Sequence, residues 1–192
     1  MKLGAVVLAA GAGTRLGGVP KALLRTGEQT YLERISRIAR LSGADRIIVV
    51  VGRPHGHAVG DAARELDLSV IVNPLPERGM ASSVALGFAA MREYDIDAAW
   101  LWPVDHPNVE LRTLDTLVHA LGDHDVAQPR FEGRGGHPPL VARALFAKLA
   151  GCGAALGGAR TVIGQAYVAR VDVDDRSVVR DIDTPSDLAE VH

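Results

Sequence analysis

Two groups of residues in this chain of 192 have the types and spacing to do chemistry. The first is the stretch from Leu8 to Lys21, LAAGAGTRLGGVPK, where Gly11, Gly13 and Gly17 accompany Arg15 and Lys21 directly after an apolar run. Glycine lets main-chain N–H groups approach an anion with no Cβ in the way, and the two cations add charge that a neutral peptide nest lacks. The chemistry implied is the handling of a polyanion such as a triphosphate. The second group is Asp105, His106 and Pro107, which end the apolar stretch from Asp97 to Val104. A carboxylate just past a strand end suits Mg²⁺, which takes oxygen ligands and commonly uses one or two carboxylates with substrate phosphates. An Asp that only caps the turn before Pro107 is the structural alternative.

Two common phosphate loops fail on spacing. Gly11, Gly13 and Gly17 make GxGxxxG, and Val50, Val51, Gly52 and Arg53 end the next apolar run without the carboxylate that a dinucleotide site needs. Lys21 lies between Pro20 and Ala22, so the GK-Ser/Thr of a P-loop is absent. An NAD-type oxidoreductase is disfavoured on the same ground.

Three further stretches carry polar groups. In Asn73 to Met91, Pro74 and Pro76 keep the start non-helical, and a helix is expected to begin near Gly79 or Met80 with Ser82 and Ser83 in its first turn. Those serines either face an anion or base edge at the helix start or simply cap the helix. Arg130 to Leu140, RFEGRGGHPPL, cannot be helix; it reads as a tightly turned or mobile loop whose Arg130, Arg134 and His137 suit an acceptor, or as a surface hairpin. In Asp181 to Leu188, Thr184 and Pro185 look like a helix start, leaving Asp181 and Asp183 without a purely structural reason.

Strands and helices must bring these stretches together. Lys2–Leu8 and Arg46–Val51 are apolar runs of the kind found in strands covered on both faces. Tyr31–Leu41 has helical spacing, with Thr30 and Glu33 as a capping box and Gly43 beyond its end. Helices over Ala58–Leu66, Leu111–Leu121 and Ala144–Leu149 alternate with strands over Ser69–Val72, Asp97–Val104, Asp125–Gln128 and Ala166–Val171. Such alternation predicts an α/β chain with a doubly wound, mostly parallel sheet of Rossmann-like type, in one domain over residues 1–192. Ligands then belong at the carboxyl ends of the strands, where the glycine stretch and Asp105 both fall.

These motifs resemble those of the MobA-like NTP transferase superfamily, whose loop runs from an apolar strand through LAAG, a Gly, an Arg and a Gly to a Lys. The resemblance runs from Leu3 to Leu188 and implies that Leu8, Ala9, Ala10, Gly11, Gly13 and Lys21 wrap a nucleotide, with Arg15 and Lys21 on its phosphates. It further implies that Asn73, Gly79, Met80, Ser82 and Ser83 hold base and ribose, and that His106, Pro107, Gly136 and His137 face the acceptor. Asp105 and Asp183, or Asp181 in its stead, would hold Mg²⁺, with Arg15, Lys21 and Asp105 as the catalytic set. LAAG, and Pro20 before Lys21, lie closer to the cytidylyltransferase branch than to the guanylyl branch. The implied reaction is CMP transfer from CTP to a phosphorylated small-molecule acceptor, molybdopterin cofactor first, with pyrophosphate released and a molybdoenzyme or chaperone as a conceivable protein partner. A sugar-phosphate or phosphorylated-alcohol nucleotidyltransferase, and a non-catalytic nucleotide- or cofactor-binding module, are the alternatives. One departure is plain: Gly157 and Gly158, rather than an acidic residue, precede Ala159 and Arg160.

Composition sets bounds. A hydrophobic fraction of 47% with 23% charged residues is that of a folded globular chain, and a net charge of -2 argues against general nucleic-acid binding. The single cysteine, Cys152, has no partner for a disulfide, which suits the cytoplasm, and the short apolar run after Met1 and Lys2 is too short for a secretory segment or a membrane span.

Overall fold

The structure, a computed structural model, describes residues 1–14, 17–154 and 157–182. In chain order its main elements are β1 (Leu3–Ala9), α1 (Tyr31–Leu41), β2 (Ala44–Gly52), α2 (Gly56–Glu65), β3 (Ser69–Asn73), α3 (Met80–Met91), β4 (Ala98–Pro103), α4 (Leu111–Leu121), β5 (Val126–Phe131), β6 (Arg134–Gly135), β7 (Leu140–Ala142), α5 (Phe146–Ala150), α6 (Gly158–Gly164) and β8 (Val168–Asp172). Arg25–Thr26 and Gln29–Thr30 add a small separate hairpin.

The main sheet runs β8-β5-β7-β4-β1-β2-β3, with β6 paired to β5. The four strands β4, β1, β2 and β3 are mutually parallel, and β8 is parallel to β5. Only β6 and β7 run against their neighbours, so the sheet is mostly parallel, as expected. Alternate side chains of each central strand enter different cores. Leu3, Ala5, Val7 and Ala9 of β1, Ile47, Val49 and Val51 of β2, and Trp100 and Trp102 of β4 face one core, which also takes the apolar sides of α1, α2 and α4. Val6, Leu8, Ile48, Val50 and Leu101 face the other, against α3 and α5. The unbroken apolar runs are explained by this double covering.

Local chemistry fixes the element ends. Thr30 Oγ1 accepts from the Glu33 amide at 3.1 Å and the Glu33 carboxylate accepts from the Thr30 amide at 2.5 Å, the reciprocal bonds that start α1. That amide donor is the main cause holding the Glu33 carboxyl below its usual range. α3 sits close on the sheet because Gly87 has no side chain: a Cβ there would lie 2.3 Å from Val6 Cγ1. Close seating brings the start of α3 alongside the end of β1.

Several boundaries differ from the expectation. β5 continues to Phe131 because Glu132 and Gly133, with φ of 49° and 78°, turn the chain directly into β6. The stretch expected to be a loop thus contains a surface hairpin. β7 then inserts between β4 and β5, antiparallel to both. The helix expected over 144–149 begins as a 3-10 turn, Arg143–Leu145, and becomes α5 only at Phe146. α6 begins at Gly158 and delays β8 to Val168.

Candidate functional site

Two clefts open at the carboxyl edge of the sheet and share one wall. The first, about 300 Å³, lies between the turn after β1 and the start of α3. The glycine turn forms as it does because Gly13 has φ 62° and packs against the Val19 main chain; a Cβ on it would fall 2.0 Å from the Val19 carbonyl oxygen. The Gly18 amide donates to the Gly13 carbonyl at 3.0 Å and closes the turn. His55 Nε2 lies 3.2 Å from the Ala12 carbonyl, tying the turn to the loop after β2. The chain then makes a 3-10 turn over Lys21–Leu23, which presents Lys21 to the cleft.

On the opposite side, Gly79 takes φ 86° and lets the chain enter α3 at Met80. Asn73 explains why. Its Nδ2 donates to Ser82 Oγ at 2.8 Å and Ser83 Oγ at 2.9 Å, while its Oδ1 accepts from the Leu75 amide at 2.9 Å. One buried side chain therefore folds the proline turn onto the start of the helix.

Asp105 forms the common wall. The Val104 amide donates to the Leu8 carbonyl, and Trp102 Nε1 donates to the His106 carbonyl at 3.0 Å, so the turn past β4 is fixed against β1 and the core. Lys21 Nζ and Asp105 Oδ2 are 3.3 Å apart, with both side chains largely buried. Among the described residues Asp105 Oδ1 is buried with no hydrogen-bond partner, and His106 Nε2 lies 4.0 Å from it. A desolvated carboxylate oxygen without a donor is costly, and a bound cation would relieve it. Among the described residues no three His, Cys, Asp or Glu side chains converge as a closed metal centre. The donors present fit a hard cation completed by phosphate oxygens rather than an all-protein cage.

The second cleft, about 250 Å³, lies on the far side of Asp105 and takes in His106, Arg134, His137 and Asp181. The rings of His106 and His137 are 5.1 Å apart. Burial, and then the neighbouring His106, push the His137 imidazole down to about 4 against the pull of Asp105 and Asp181, so it is neutral at physiological pH. Its Nδ1 is buried and has no hydrogen-bond partner among the described residues.

The expected site residues divide accordingly. Leu8, Ala9, Ala10, Gly11, Gly13, Lys21, Gly79, Met80, Ser83 and Asp105 line the first cleft. Asn73 and Ser82 do not: they line a different groove, and Ser82 Oγ donates to the Gly79 carbonyl at 2.8 Å, so it does not cap the first amides of α3 either. His106 and His137 line the second cleft together with Asp105. Pro107 and Gly136 are buried beneath it. The Pro107 carbonyl accepts from Arg34 Nε, and Gly136 is packed so tightly that a Cβ would meet the Val178 carbonyl oxygen at 2.5 Å. Arg15 and Asp183 lie outside the described residues. Asp181 supplies a carboxylate to the second cleft; Pro76, read from the sequence only as a helix breaker, and Pro103, Val178 and Val179, which the sequence did not single out, add to the walls. The only sequence signal for the last two was an apolar pair just ahead of Asp181.

A glycine turn with a lysine, a helix start and an aspartate are gathered where the parallel strands of an α/β sheet end, which is where such folds place their ligand sites. The chain belongs to the family of the MobA-like NTP transferase domain, whose model matches residues 5–171. The chain is 29% identical to nicotine blue oxidoreductase of Paenarthrobacter nicotinovorans, over 93% of this chain and 91% of that protein. It is 34% identical to the bifunctional enzyme IspD/IspF of Maricaulis maris (strain MCS10) over 67% of its own length, but spans only 34% of that relative. The crystal structure of Rv0371c from Mycobacterium tuberculosis H37Rv superposes with a TM-score of 0.79 at 28% identity, covering 100% of this chain and 97% of the other. The same protein in complex with manganese gives 0.77 at 26% identity, covering 100% and 98%. Divalent metal binding thus occurs among similar structures. Among the described residues no helix is long and apolar enough to cross a membrane.

Proposed function

We propose that this protein is a cytoplasmic cytidylyltransferase that moves CMP from CTP to a phosphorylated small molecule, molybdopterin cofactor first among candidates, and releases pyrophosphate. The observation that carries this reading is the meeting of Lys21 and Asp105 at 3.3 Å between two clefts, with one Asp105 oxygen buried and unsatisfied. The nucleotide would occupy the cleft of the glycine turn, its phosphates against main-chain N–H groups and Lys21, with Arg15 as a further cation. The base and ribose would lie along Gly79, Met80 and Ser83. The acceptor would enter the second cleft, where Arg134 offers charge to its phosphate and neutral His137 accepts or donates a hydrogen bond without competing for the cation. An acceptor phosphate oxygen then attacks the α-phosphorus in line; the bond from that phosphorus to the bridging oxygen breaks, and pyrophosphate leaves with the electron pair. Lys21 neutralises charge growing on the leaving phosphates, and Asp105 stays in place because its turn is bonded to β1 and Trp102. Asp105, with Asp181 or Asp183, would hold Mg²⁺, which supplies Lewis-acid charge neutralisation when bound. One domain over residues 1–192 would suffice.

Pyrophosphate release measured with each of the four NTPs, with Mg²⁺ and with or without molybdopterin, tests this reading. CTP-selective, acceptor-dependent release that chelation abolishes is the expected result; no release with any NTP overturns it. The relative that is an oxidoreductase favours a second reading, redox chemistry in the same cleft. Against it stands the end of β2, where Gly52 and Arg53 offer no carboxylate to a ribose. Oxidation of NADH or NADPH in the same panel separates the two.

A further inference from the structure

The wall of the second cleft is a strap, residues 175–182, that follows β8 and has no long element of its own beyond a 3-10 turn, Arg176–Val179. It touches three parts of the site through its main chain. The Ser177 carbonyl lies 3.2 Å from His106 Nδ1 and, being only an acceptor, accepts a hydrogen bond from it. The Val178 carbonyl accepts from the His137 amide at 2.7 Å, and the Ile182 amide donates to the Asp105 carbonyl at 3.0 Å. The absence of a side chain at Gly136 is what lets the strap come so near. Between the last two bonds the strap carries Asp181 into the cleft.

The strap begins at Asp175, a carboxylate only 4% exposed that has no contact with either cleft. Four donors converge on it. Oδ2 accepts from the Glu110 amide at 2.9 Å and from Thr113 Oγ1 at 2.7 Å, at the start of α4. Oδ1 accepts from the Ser177 amide at 3.0 Å and from Ser177 Oγ. Glu110 makes no capping bond with its own side chain, so Asp175 serves the helix start from elsewhere in the chain. One oxygen thus holds a rigid helix and the other holds the strap.

We propose that Asp175 is a positioning residue for the second cleft: it fixes the strap so that the His106 ring, the His137 main chain and the Asp181 carboxylate keep their places around Asp105. The inference rests on the proposed function only for what the second cleft accepts; the anchoring itself stands apart from it. An Asn at this position cannot substitute, because each carboxylate oxygen faces a backbone N–H. Whichever way the amide is turned, its NH₂ meets one of them, and either the helix bond or the strap bond is lost.

The test compares the wild-type protein with Asp175→Asn by amide hydrogen exchange, by imidazole nitrogen NMR of His106 and by equilibrium binding of CTP with Mg²⁺. Exchange at the His137 and Ile182 amides is expected to speed up at least tenfold, and the His106 signal to lose its fixed Nδ1–H form. Exchange at Val7 and the CTP dissociation constant should stay within about twofold. Unchanged His137 and Ile182 exchange with an unchanged His106 tautomer overturns the proposal. So does an even rise in exchange across the sheet with a matching loss of CTP affinity, because that marks a general loss of stability. Should Asp175→Asn fail to fold, Thr113→Val, which removes one bond from the helix side, is expected to give the same pattern at about threefold, and no change there overturns it. Wild-type protein that binds no CTP refutes the proposed function while leaving the exchange and NMR outcomes able to decide this one.

Discussion

Replacing Lys21 by Ala separates the chemistry from the fold. At 3.3 Å and an effective dielectric of about 20, the attraction between Lys21 and Asp105 is about 5 kcal/mol before desolvation. The side chains are 18% and 22% exposed, so most of that is offset by the cost of leaving water, and the net loss to the fold is about 1–3 kcal/mol. For a chain of this size that lowers Tm by roughly 3–10 °C. The loss in catalysis is of a different kind. A cation set against charge that grows only in the transition state is worth about 100- to 1,000-fold in rate. Lys21→Ala should therefore stay folded by circular dichroism and lose about two to three orders of magnitude in kcat/KM, measured as pyrophosphate release. Lys21→Ala combined with Asp105→Ala should cost less than the sum of the two, since the residues act on one another. A folded Lys21→Ala protein that keeps turnover within tenfold of wild type would refute the reasoning, because the cation would then stand outside the reaction.

Three other outcomes follow from the same geometry. Because the His137 imidazole is held at about 4 in the folded protein against 6.5 in the unfolded chain, the unfolded state binds the extra proton between those values; stability is kept above pH 6.5 and falls by up to about 3 kcal/mol as pH drops towards 4. Urea titrations at pH 7 and pH 4.5 check this, and His137→Gln should flatten the difference. Gly13→Ala must open the turn, since the added Cβ collides with the Val19 carbonyl at a φ of 62°; strain of about 1–3 kcal/mol should raise the CTP dissociation constant at least tenfold with helix content unchanged by circular dichroism. Thr30→Ala removes one half of a capping box that lines neither cleft, and should cost about 1 kcal/mol by chemical denaturation with kcat unaltered.

Legibility in the sequence followed the range of the interactions. α1 ran from Tyr31 to Leu41 as expected because everything that starts it, Thr30 and Glu33 above all, lies within one turn. The double covering of β1 and β2 could be read because both faces of those strands are apolar. What could not be read depends on partners far along the chain. Nothing near Asn73 says that its amide is consumed by Ser82 and Ser83, and nothing near Pro107 or Gly136 says that Arg34 and Val178 cover them. The insertion of β7 between β4 and β5 rests on pairing across the sheet, for which a three-residue strand leaves almost no local signal. Asp175 escaped notice for the same reason: its partners at Glu110 and Thr113 are more than sixty residues away.

That antiparallel insertion divides labour along the sheet. The first cleft is lined from β1, β4, the turns that follow β1, β3 and β4, and the start of α3, whereas the second is furnished largely by the β5–β6 hairpin and the strap behind it. Among the described residues the two clefts share Met80, Pro103 and Asp105. Substitutions confined to the hairpin and the strap can therefore reshape the second cleft while leaving the first intact.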